Sequence, residues 1–396
     1  GSYVVLPGIN PDMLSKLHEQ TSEGLLALLN MFSGGAFSNA SIFALGIMPY
    51  ISASIVIQLL AIAVPYFQKL QREGESGRRK INQYTRILTI IILIFQAPSY
   101  LINLKMQAGP ALNASLDWTF FIITSTIILA AGSMFVLWLG ERITDKGIGN
   151  GISLIIFAGI VSSLPKGIGV IYKYLQAGTI SYFNVALFLI IAIAMIVLVI
   201  AIQQGQRRIP VQYAKRVVGR KMYGGHSTHI PLKVNQAGVI PIIFASSVLM
   251  FPVTIAQFIN IPWVKTLAGY FAWGTPLQTV LYALMIVFFT YFYTAVTLNI
   301  SDMAENLKKY GGFIPGIRPG KPTAEYLDHV MTRITLAGAF FLAFIAILPT
   351  MIAGATHIDG VNFGGTALLI VVGVALDTMK QIESMVVMRH YQGFMK

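Results

Sequence analysis

Very little in this sequence of 396 residues is equipped for covalent chemistry. There is no cysteine, which excludes thiol nucleophiles, thiolate metal sites and disulfide frameworks. His226 and His229 stand three apart on a basic stretch with no acid beside them, a poor set of donors for a metal. EGESGRRK (73–80) lacks the spacing of a nucleotide-binding loop, and GIGNG (147–151) leads into an apolar run with no strand before it. Asp377 is the one acid well inside an apolar run, and that run is long enough for it to emerge at a membrane face. The sequence therefore offers no catalytic residue, no metal site, no site for a driving ion or nucleotide and no cofactor requirement. What it does offer is aliphatic side chains in quantity and basic residues in clusters.

Those residues must be positioned by a membrane. At 55% hydrophobic, 11% charged and mean hydropathy +0.70, the chain is expected to be an all-α polytopic membrane protein. Its central stretch, SIFALGIMPYISASIVIQLLAIAV (41–64), is long enough to cross a bilayer as a helix. Yet it holds Gly46 and Pro49 together with Ser41, Ser52, Ser54 and Gln58, so protein or water is expected beside it as well as lipid. Spans are expected at 41–66, 87–104, 119–140, 150–164, 183–203, 236–259, 277–300, 333–353 and 363–388, nine in all. GLLALLNMF (24–32) is too short to span and by pattern alone reads as an interfacial helix ending at Gly34 and Gly35.

The net charge of +13 is very unevenly placed. Counted by alternating loop, 23 Lys and Arg fall on one side, in 68–86, 140–149, 205–235, 301–333 and the tail from Lys380. Only Lys16, Lys105, Lys166, Lys173 and Lys265 fall on the other, so the first set is expected to be cytoplasmic. Residue 1 then begins outside, and GSYVVLPGI reads as the tail of a further apolar segment. With that helix restored the chain has ten spans in two halves of five, and because five is odd the halves lie inverted. Interrupted helices recur at matching places: Gly46 and Pro49 against Gly238, Pro241 and Pro252, and GIGNG against FGG (363–365) with Gly373. Such matching suits a passage between the halves, although Gly and Pro are also common in ordinary membrane helices.

Two large basic loops stand out. Loop 205–235 carries seven basic residues and no acid, with alternating apolar positions either side of Gly224 and Gly225, a hairpin pattern. Loop 301–333 contains KKYGGFIPGIRPGKPT, stiffened by three prolines around Arg318. Topological charge bias accounts for some of this; the loops also suit RNA phosphate or an acidic protein surface.

SIFALGIMPYISAS, EGESGRRK, GIGNGIS, QRR followed by YAKR, STH-PLKVN-AGVIP-IFASS, FIPGIRPG and FGGT-LLIVV together resemble the SecY family, channel subunits of the bacterial protein translocase, over practically the whole chain. The resemblance implies an hourglass pore between two inverted halves, 1–182 and 183–396, with the first helix largely absent. It implies a ring of aliphatic side chains at mid-membrane, at Ile47, Ile51, Ile152, Ile156, Ile243 and Ile370. It makes about 24–37 a movable plug, and puts a lateral gate between the helices of 41–66 and 236–259, with Ser52 and Phe251 facing across it. Arg207, Arg208, Lys215, Arg220, Lys221 and Arg318 match positions used by the ribosome and the SecA motor. SecE and SecG are implied as small partners, unfolded secretory and membrane proteins as cargo, and the bacterial cytoplasmic membrane as location. One departure is Gln203-Gln204, where the family usually has an acid, which makes the loop more basic. The rival reading is an inverted-repeat carrier of small solutes, which needs charged ligands inside the membrane; a ribosome-anchoring scaffold with no pore is a third.

Overall fold

Both interrupted helices begin with the same device. GIMP (46–49) and GVIP (238–241) each place a glycine at positive φ (51° at Gly46, 63° at Gly238) and a proline three residues on. Helix α1 (Met48–Ala63) and helix α7 (Ile240–Phe258) start just ahead of those prolines. Proline costs nothing in a helix's first turn, where its missing N–H has no partner anyway. Pro49 therefore starts a helix and does not kink one, which corrects the expectation for 41–66. Residues 42–47 are turns, and α1 is only 16 residues long. That is about 24 Å, short of the roughly 30 Å of a hydrocarbon core. A second break follows at Val64, where α2 (Pro65–Arg72) turns away from α1 by 101°.

The computed structural model describes residues 1–11, 14, 30–108, 117–178, 180–213, 216–218, 221–223, 227–258, 270, 275–356 and 365–393. The remaining helices are α3 (Glu75–Ala108), α4 (Trp118–Lys146), α5 (Gly151–Gln176), α6 (Tyr182–Gln204), α8 (Pro276–Thr297), α9 (Ile300–Lys309), α10 (Lys321–Thr356) and α11 (Gly365–Gly393). Every expected span thus contains a helix. Among the described residues six helices are long and apolar enough to cross a membrane, and the bent pair α1–α2 makes a seventh. Helix α5 differs from its expected end at 164, running through Pro165 to Gln176. Proline is tolerated inside membrane helices because neighbouring groups satisfy the freed carbonyl; Pro98 sits inside α3 in the same way.

Packing follows the same order twice. Helix α1 lies on α3, α3 on α4 and α4 on α5; α7 lies on α8, α8 on α10 and α10 on α11. The two series meet where equivalent helices touch, α1 against α7 and α5 against α11, while α6 packs beside α11. Helix α6 is the most lipophilic, with only 11% of its apolar window buried, and Ile190, Ile193 and Val197 stand out from the bundle. So large an exposed apolar face requires lipid or a partner against it.

At the basic end the hairpin is real. Strand β1 (Gln206–Tyr213) pairs antiparallel with β4 (Ser227–Lys233), and β2 (Arg216–Val218) with β3 (Lys221–Tyr223), in the register Val218↔Lys221. Gly224 and Gly225, on either side of which the alternation is expected, lie outside the described residues. A fifth strand, β5 (Gly312–Phe313), joins the other edge of β1 through Gln212↔Phe313 and Tyr213↔Gly312. The two basic loops are therefore joined through one three-stranded sheet, in the order β4-β1-β5. Its apolar face (Ile209, Val211, Leu232) is buried on Leu307, Leu327, Val330 and Met331 of α9 and α10.

At the same end Arg86 of α3 grips Glu141 of α4 with two hydrogen bonds, Nε to Oε1 at 2.9 Å and Nη2 to Oε2 at 2.7 Å. The fork geometry is favourable, but the arginine is half exposed, so water screens the pair. A double-mutant cycle on Arg86→Ala and Glu141→Ala, followed by denaturant unfolding in detergent, is expected to give a coupling of about 1 kcal/mol. Strictly additive losses would show that the pair contributes no stability of its own.

Candidate pore and gate

Four helices contribute isoleucine to one apolar cluster from their first two turns. Ile47 is the N-cap residue of α1 and Ile152 the second residue of α5; Ile243 is the fourth of α7 and Ile370 the sixth of α11. Ile51 and Ile156 lie one turn further along α1 and α5. All six belong to one continuous apolar cluster, in which Ile152 is half-buried and the other five are buried. The cluster draws on both halves of the packing order. A β-branched aliphatic group has no hydrogen bond to give, so a passage lined this way excludes water and ions by dewetting and binds no particular sequence.

Met31 and Phe32 pack in the same cluster. They end a short helical turn at 30–32; residues 24–29 of the expected plug lie outside the described residues. The chain then folds into a knot of turns closed by Asn30. Its carbonyl accepts from Gly35 N at 2.7 Å and its side-chain Oδ1 from Ser38 N at 3.0 Å, while Ser33 Oγ accepts from Phe37 N at 3.1 Å. The far end of the knot is tied to the start of the chain, Leu6 N donating to Ala40 O and Ile42 N to Val4 O. Tyr100, buried on α3, donates its hydroxyl to Phe37 O at 2.8 Å and packs its ring on that of Phe37.

The expected gate residues lie on two helices that touch. Ser52 is half-buried on α1, and its hydroxyl donates to Met48 O of its own helix at 3.2 Å. Phe251 is on α7, but its side chain lies outside the described residues. Of the expected basic docking residues, Arg207 and Arg208 are exposed on β1 and Arg318 is exposed just past β5. Lys221 is on β3 with its side chain undescribed; Lys215 and Arg220 lie outside the described residues. Among the described residues no cluster of His, Asp or Glu has the makings of a metal site.

Sequence reasoning missed Tyr100 and the Asn30 knot. The signal for Tyr100 was present: a lone phenol in an apolar run needs a partner for its hydroxyl. The knot had none, because its bonds depend on which turns form.

The SecY family profile matches residues 41–379. Protein translocase subunit SecY of Escherichia coli is 47% identical over 403 residues, covering 100% of this chain and 90% of that one. Its counterpart in Streptomyces coelicolor is 45% identical over 416 residues, covering 100% and 93%. Among solved structures, one described as a protein conducting channel superposes with TM-score 0.61 at 20% identity, covering 87% of this chain and 82% of its own. Sec61 in a canine ribosome-channel complex does so with TM-score 0.57 at 17% identity, covering 87% and 82%. A SecY structure described by its plug domain, which stabilises the closed state and maintains a membrane seal, gives 0.61 at 17%, covering 96% and 94%. The fold is thus that of the conducting channels, and on full-length identity to the translocase subunits this chain belongs to the SecY family.

Proposed function

We propose that the chain is the protein-conducting subunit of a translocase, a channel and not an enzyme, which passes unfolded secretory polypeptides across the membrane and releases hydrophobic segments sideways into lipid. The observation that carries this is the meeting of six isoleucines from both halves in one cluster, with Met31 and Phe32 packed into it. In this reading the isoleucines form the sealing ring, 24–37 is the plug, and α1 and α7 are the two leaves of the lateral gate, lined by Ser52 and Phe251. A gate is needed because peptide groups left unpaired in hydrocarbon cost several kcal/mol each unless the segment is helical.

The halves 1–182 and 183–396 rock against each other, and the channel itself supplies no energy. SecA or the ribosome drives it from the basic end, through Arg207, Arg208, Lys215, Arg220, Lys221 and Arg318, with SecE and SecG as companion subunits. The location is the bacterial cytoplasmic membrane with the basic loops in the cytoplasm, which the charge asymmetry favours. A small-solute carrier is not favoured, since no Asp, Glu, Lys or Arg among the described residues is buried.

The test is photo-crosslinking of a secretory chain stalled in the channel. Probes at Ile47, Ile156 and Ile243 are expected to capture it, and a probe at Ile190 on the exposed face of α6 is expected not to. Equal capture at all four would refute a central passage.

A further inference from the structure

Just after Phe32 the backbone crosses α5 at Gly159, closer than any other residue would allow. A Cβ on Gly159 would lie 2.8 Å from Phe32 O, 3.1 Å from Met31 O and 3.2 Å from Gly34 N, all of them backbone atoms. Gly34 faces back at φ 63°, where its own Cβ would lie 3.4 Å from Gly159 Cα. Backbone atoms cannot swing aside as a flexible side chain can, so a single methyl here displaces the segment. Further along, Tyr100 takes the carbonyl of Phe37, and on α4 a Cβ at Gly132 would collide with Ile42 O.

We propose that Gly159 and Tyr100 are positioning residues that seat the segment 30–46 and thereby hold the plug against the sealing ring. The proposal rests on the channel reading. It adds that the seat lies outside both the plug and the ring, on three helices of the first half, α3, α4 and α5. Met31 and Phe32, by contrast, sit in a cluster shared with Ile243 and Ile370 of the second half. The seat consequently travels with one half while the seal needs both. In this proposal the plug leaves both the ring and its seat on opening, so a side chain placed at Gly159 penalises the closed state and not the open one.

The experiment is the resting ion conductance of purified channel in planar bilayers, normalised to folded protein by size-exclusion profile. Gly159→Ala is expected to raise it roughly tenfold, since overpacking of about 1–2 kcal/mol acts on the closed state alone. Tyr100→Phe, which keeps the ring and loses the hydroxyl, is expected to raise it roughly fivefold. Gly169→Ala, on the same helix with nothing within 4 Å of the added carbon, is expected to leave it unchanged. The ring variant Ile47→Gly/Ile243→Gly runs beside them. If it leaks while Gly159→Ala and Tyr100→Phe stay sealed, the seat is overturned and the channel stands. If it too stays sealed, the channel reading itself fails. Should Gly159→Ala not fold, Tyr100→Phe decides alone, because its ring keeps the packing on Phe37.

Discussion

Replacing Ile47 and Ile243 by glycine is expected to raise the resting ion conductance of the channel in planar bilayers by more than an order of magnitude, with folding largely preserved. Both side chains are nearly or fully buried, at 3% and 6% exposure, in the cluster that joins the halves. Removing a buried aliphatic group typically costs 2–5 kcal/mol through lost transfer energy and the cavity left behind. Part of that cost falls on the closed state alone, because an open passage no longer packs these groups against each other. A differential of about 2 kcal/mol already shifts the closed-to-open ratio by roughly thirtyfold. The vacated space also lets water bridge a constriction that had sealed by staying dry. Glycine is well placed at Ile47, a cap position, and costs about 1 kcal/mol of helix propensity at Ile243. Conductance equal to the parent's in folded double variant would remove the ring from the mechanism.

The second large effect lies at the basic end. Arg318→Glu is expected to abolish ATP-driven translocation of a secretory precursor into vesicles, while the channel itself still inserts and folds. Arg318 is exposed, but its backbone is fixed. Its carbonyl accepts from Thr323 Oγ1 at 2.8 Å, and β5, just ahead of it, is paired to β1. The substitution therefore moves charge without moving structure. Against an acidic docking surface it exchanges attraction for like-charge juxtaposition, which costs several kcal/mol, and more than about 2.7 kcal/mol is a hundredfold in affinity. Export at the parent's rate would refute docking at this residue.

How much of this was legible in the sequence varies with the physics of each element. The spans were legible because nine apolar runs are too long to be anything else in water, and each contains a helix. The hairpin was legible from alternation, because apolar and polar residues trade places along β1 and β4, and the pairing of those two strands sets its register. Proline sits differently at two places. Pro49, inside the expected span 41–66, starts a helix, and Pro165, just past the expected span 150–164, lies inside one. Local chemistry permits either outcome, and the neighbouring helices decide. The six isoleucines could not be told from packing by composition; family resemblance singled them out, and the fold brings them into one cluster. The partner of the Tyr100 hydroxyl and the crossing at Gly159 became visible only with the tertiary contacts, since neither is written in one dimension.

The convergence of four helix beginnings on the isoleucines has an electrostatic consequence. Each such terminus carries roughly half a positive elementary charge from its aligned peptide dipoles. At α5 a side chain takes up part of this, through Asn150 Oδ1, which accepts from Ile152 N and Ser153 N; α1 has no side-chain cap. In the proposed channel these termini stand beside the sealing ring. There the polypeptide backbone would disfavour protons and metal cations, so that the secondary structure would guard a cell's proton gradient together with the greasy side chains it carries.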